Sequence, residues 1–67
     1  MNQKDMILRH LKRYGRITPM QALGNYGVYR LAARISDLRA AGYRIETTMR
    51  HLPNRKSHAV YEWREWQ

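Results

Sequence analysis

Cysteine is absent from this chain, which excludes disulfide braces and thiolate zinc sites. The three histidines, His10, His51 and His58, are spread along the sequence with no cysteine to complete a tetrahedral set. Neither a structural metal nor a cofactor is expected. Acidic residues are scarce as well, with five Asp and Glu against thirteen Lys and Arg. So few carboxylates leave no credible two-metal nuclease site. No phosphate-cradling glycine loop is present, and Ser36-Asp37 and the histidines offer no arranged nucleophile, base and orienting group. An enzyme is not expected. No apolar run approaches the ~18 residues of a membrane span, and the N-terminus has no signal-peptide core. The expected compartment is the cytoplasm, with no membrane partner.

What the chain does have is positive charge interleaved with apolar residues. Its 67 residues allow one small domain, residues 1–67. The formal net charge is +8 and the sequence pI is near 10.7. Basic residues recur from Arg9 through Lys56 among hydrophobic ones, unlike a disordered basic tail. A folded basic surface of this kind points to a polyanion.

The segment "NQKDMILRHLKRYG" places Ile7, Leu8, Leu11 and Tyr14 at amphipathic helical spacing, with Asn2 as a cap and Gly15 as a stop. A first helix is expected over about residues 3–14. Ile17 reads as a short extended residue. Thr18, Pro19 and Gln21 then form a capping box that opens a second helix. Gly24 and Gly27 are expected to cut that helix short, with "GNYG" as the turn. A third helix is expected from about Val28 to Ala41, ending at Gly42. Its core stripe is Leu31, Ile35 and Leu38; its outward side carries Tyr29, Arg30, Ala33, Ser36, Asp37 and Ala40. Alanine at 33 and 40 implies that something approaches that side closely. The remainder reads as a hairpin. Tyr43, Ile45, Thr47 and Met49 share one face of its first strand, and Ala59, Tyr61 and Trp63 share one face of the second. Pro53-Asn54 marks the turn between them, with Arg50, Arg55 and Lys56 at or beside the tip.

This order of elements resembles a winged helix-turn-helix domain, and "YRLAARISDLRAAGYRIET" in particular is similar to small winged-helix proteins of bacteriophages and prophages. The likeness runs from about Met6 to Trp63. It implies an α+β, mainly α fold of three helices with a two- or three-stranded β-wing. It further implies that Tyr29, Arg30, Ala33 and Arg34 lie on a recognition helix, that Arg55 and Lys56 lie on the wing, and that the protein acts at the nucleoid of a bacterial host cell.

Physical chemistry leads to the same partner. An α-helix fits the major groove of B-DNA, and its N-terminal residues reach base edges first. Arg30 points squarely outward, where a guanidinium bonds guanine bidentately. Arg34 has three roles open to it: base contact, a phosphate, or an ion pair with Asp37. Tyr29 has two, contact with DNA or packing against the turn. Backbone phosphates are expected to meet Thr18 and the start of the second helix, Arg16, and Arg50, Arg55 and Lys56 of the hairpin. Lys12 and Arg13 read as a solvated face. The expected partner is double-stranded DNA, bound by sequence, for a transcriptional regulator or an architectural factor that bends DNA. An inhibitor of a host protein stays open, given Tyr26, Tyr29, Tyr61, Trp63 and Trp66 as an aromatic hot spot. So does a homodimer held by Trp66. RNA binding is a weaker option, because the aromatics do not line one strand.

Overall fold

The computed structural model describes residues 2–51, Pro53 and residues 57–65. Arg55, Lys56 and Trp66 lie outside the described residues, so the expectations placed on them are not taken up in the fold. The elements in chain order are α1 (Gln3–Tyr14), β1 (Arg16–Ile17), α2 (Pro19–Tyr26), α3 (Leu31–Ala40), β2 (Ile45–His51) and β3 (Ser57–Trp63). The strands form one three-stranded antiparallel sheet in the order β1-β3-β2.

Helix α1 forms where its caps and apolar spacing agree. The Asn2 side chain accepts the Asp5 N–H at 2.9 Å, satisfying one of the orphan donors of the first turn. Gly15 ends the helix at φ 86°, a left-handed conformation that glycine adopts without steric cost. Ile7 and Leu11 are fully buried. Tyr14, expected on the buried face, is 61% exposed instead, and His10 takes the inner position. The reason is tertiary: His10 finds a half-buried partner in Tyr26, whose hydroxyl lies 2.7 Å from Nδ1. Tyr14 stacks outside it with ring centroids 4.7 Å apart.

The capping box of α2 forms in full. Thr18 Oγ1 accepts from the Gln21 N–H, and Gln21 Oε1 accepts from the Thr18 N–H, at 3.2 and 3.1 Å. Thr18→Ala removes this device and is expected to cost about 1 kcal/mol. In a domain of this size that lowers the melting temperature by about 4–8 °C, read by circular dichroism.

The second helix is longer than expected, because Gly24 sits inside it. An interior glycine costs about 1 kcal/mol relative to alanine and does not break a helix whose start is capped and whose Ala22 is buried. The true stop is Gly27 at φ 67°, whose N–H donates to the Leu23 carbonyl. Val28 is buried, and its N–H reaches back to the Ala22 carbonyl at 3.1 Å. That pulls Val28 out of a helical path. The turn therefore runs from Gly27 to Arg30, and α3 begins at Leu31, three residues later than expected. Its end does fall at Gly42: the Gly42 N–H donates to Arg39 and the Tyr43 N–H to Leu38, a Schellman closure with Gly42 at φ 104°.

Ile7, Leu11, Ile17, Ala22, Leu31, Ile35 and Leu38 form one core with Val28, Ile45, Tyr61 and Trp63. Tyr61 and Trp63 are buried as strand parity predicts, and Ile45 pairs with Trp63 across the ladder. Thr47 and Met49 share that face yet are exposed, because the hairpin runs out beyond the helices. Val60, of the opposite parity, is buried as well. On that second face Arg64 pairs with Glu46 at 3.0 Å, and Thr48 donates to Glu62.

Candidate nucleic-acid interface

The segment before α3 and the face of α3 beside the hairpin form the open side of the molecule. Tyr29 is 85% exposed and Arg30 is exposed, both ahead of the first helical residue. Arg30 is the cap residue of α3, and its side chain makes no capping bond. It thus stands beside the unpaired N–H groups of the first turn, where the helix dipole is positive. Ala32 and Ser36 follow as exposed positions one turn apart. At the far end of that face Arg39 turns onto β2, donating from Nε to the Ile45 carbonyl at 2.9 Å and from an Nη to Thr47 Oγ1 at 2.8 Å. Those two bonds set the angle between helix and hairpin.

The other edge of α3 faces α1. Arg34 Nε lies 3.1 Å from an Asp37 carboxylate oxygen, and an Nη donates to Gln3 Oε1 at 3.3 Å. Arg34 and Ala33 are half-buried. Arg34, Asp37 and Ala40 line a recess shared with Asn2, Gln3 and Lys4. The start of α1 is therefore what comes close to this side of the helix. Of the four residues expected at the bases, Tyr29 and Arg30 come together at the open end, whereas Ala33 and Arg34 lean toward the α1–α3 joint. Ser36 is on the outward side expected from the sequence, without a role at the bases, and Ala32 was missed. The only signal for Ala32 was the complementary spacing of Arg34 and Asp37, which ties that edge of the helix inward and turns the opposite edge out.

The α2 start is less free than an ordinary helix N-terminus. Pro19 has no N–H, the capping box uses those of Thr18 and Gln21, and Ala22 donates to the Thr18 carbonyl. What this end offers an anion is the Met20 N–H and the Thr18 hydroxyl proton. Beside it runs an apolar furrow between α2, the turn and β3, lined by Met20, Leu23, Val28, Tyr29, Ser57 and His58 among others. Met20 is 79% exposed. None of the five acidic residues lines this furrow. Arg50 sits on β2 opposite His58, near the hairpin end. Arg16 is exposed on the edge strand β1.

A three-helix start, a turn closed by Gly27, and a hairpin braced by Arg39 against the third helix are the parts of one known architecture. The family described as a winged helix-turn-helix domain matches residues 2–62. The chain belongs to that family. No curated protein and no solved structure matches it. In winged helix-turn-helix terms α3 is the recognition helix, and β2 with β3 is the wing. Such a domain points to DNA binding. Among the described residues no group of His, Asp and Glu is arranged to hold a metal, and no helix is long and apolar enough to cross a membrane.

The aromatic set offered for a protein partner is mostly unavailable. Tyr61 and Trp63 are in the core, and Tyr26 is half-buried with its hydroxyl on His10. Tyr29 alone of the described four is open.

Proposed function

We propose that this protein binds double-stranded DNA in a sequence-dependent manner as a small transcriptional regulator of the phage or prophage type. The observation that carries the reading is the pairing of an unobstructed α3 start, led by Tyr29 and Arg30, with a wing fixed beside it by Arg39. Arg30 reads guanine, and Tyr29 lies along the furrow wall where thymine methyl groups or deoxyribose pass. Ala32 and Ser36 are small enough for the helix to sit deep in the groove. Ala33 lies at the edge of that contact. Arg34 joins the reading only by exchanging Asp37 and Gln3 for a base. Thr18, Arg16 and Arg50 hold phosphates, and Arg55 and Lys56 extend the wing's charge toward the adjacent backbone or minor groove.

The test is selection of bound duplexes from a random pool, followed by titration over a salt series. With roughly six phosphates neutralised, log K falls against log salt with a slope of about −5. Arg30→Ala is expected to relax preference at one position of the selected site and to cost about 1–3 kcal/mol there. Equal affinity of wild type and this variant for every probe removes Arg30 from base reading.

A further inference from the structure

A second basic surface lies on elements that neither the recognition helix nor the wing contributes to. Arg9 and Arg13 stand one turn apart on α1, and Arg16 lies on β1; all three are exposed. Among the described residues none of the three has an acidic partner, since the ion pairs involve only Arg34 and Arg64. They surround an aromatic centre, in which His10 lies between Tyr14 and Tyr26 with ring centroids at 4.7 and 5.6 Å. Arg9 and Arg13 border one recess over that centre, and Arg16 borders the adjoining one with Gln21 and Asn25.

The composition of its lining sets this patch apart from an ordinary solvated face. The centre is also built to stay neutral: burial holds the His10 imidazole below its ordinary value, against a smaller opposing effect of a hydrogen bond to the Arg16 backbone. Three guanidinium groups, two tyrosine rings and the amides of Gln21 and Asn25 around a shallow recess make a donor-rich lining with no carboxylate. That composition fits phosphodiester oxygens.

We infer that Arg9 and Arg13, continuing the surface from Arg16, form a second DNA-backbone site, which takes phosphates beyond the stretch docked on α3 and the wing. The inference rests on the DNA-binding reading above. The phosphates come from the flank of the same duplex or from a second duplex, and both present the same chemistry.

The test compares wild type, an R9Q/R13Q double variant and Ala32→Glu. Two duplexes are used, one limited to the selected site and one extended by about two helical turns on each side. R9Q/R13Q is expected to melt with the wild type and keep its sequence preference, while its salt slope on the long duplex is shallower by about 2. If the short duplex shows no change, the phosphates are those of the flank. Loss of wild-type energy transfer between two differently labelled duplexes in the double variant assigns them to a second duplex. An unchanged slope together with unchanged transfer overturns the second site, while loss of binding in Ala32→Glu leaves the main reading standing. A shallower slope in R9Q/R13Q with full binding by Ala32→Glu sinks the α3 reading instead and leaves the arginine surface as the DNA site. Absence of any duplex binding by the wild type ends both.

Discussion

Leu11→Ala leaves most of the protein unfolded at room temperature. Leu11 is 0% exposed and sits in the core that joins α1 to the rest of the fold. Removing its branched side chain costs about 2–5 kcal/mol, in transfer free energy and in the cavity left behind. A chain this small draws only about 3–5 kcal/mol from a single core. Among the described residues it has no metal cluster, and it has no disulfide, to make up the loss. Urea unfolding followed by circular dichroism checks this directly. A midpoint close to the wild type's would mean that the core relaxes around the cavity, and that packing at Leu11 contributes far less than its burial implies.

Ala32→Glu has the opposite profile, intact folding with DNA binding lost. Ala32 lies in the first turn of α3, where a carboxylate suits the helix dipole and glutamate is a good helix former. Its side chain is exposed, so the substitution disturbs no packing. In the proposed complex the same carboxylate faces base edges between two phosphate chains. Like-charge juxtaposition at an interface costs several kcal/mol, so affinity falls by about 100-fold or more. Thermal melting and a gel-shift titration on the selected site separate the two effects. Wild-type affinity in this variant would place the first turn of α3 outside the groove.

Helix α1, the capping box and the Gly42 stop could be read from the linear order of residues, because each depends on partners three to five positions away. Asn2 with Asp5, Thr18 with Gln21 and Leu38 with Tyr43 are bonds of that reach. The parity of Tyr61 and Trp63 was equally legible, since a strand alternates its faces whatever it packs against. Local spacing did not decide the cases that packing settled. Gly24 reads locally as a breaker, yet its helix continues to Tyr26 on the strength of the capped start and buried Ala22. Arg34 had three roles open to it, and Gln3, thirty-one positions away, holds it at the α1–α3 joint.

The amino-acid order alone therefore sets which elements form and where their caps lie, along with the excess of positive charge; these follow from neighbours along the chain and from composition. Which edge of α3 faces outward, and which arginines are left without carboxylate partners, depends on α1 folding back across one side and the wing across the other. Those contacts join residues far apart in the chain, and no periodicity within a single helix encodes them.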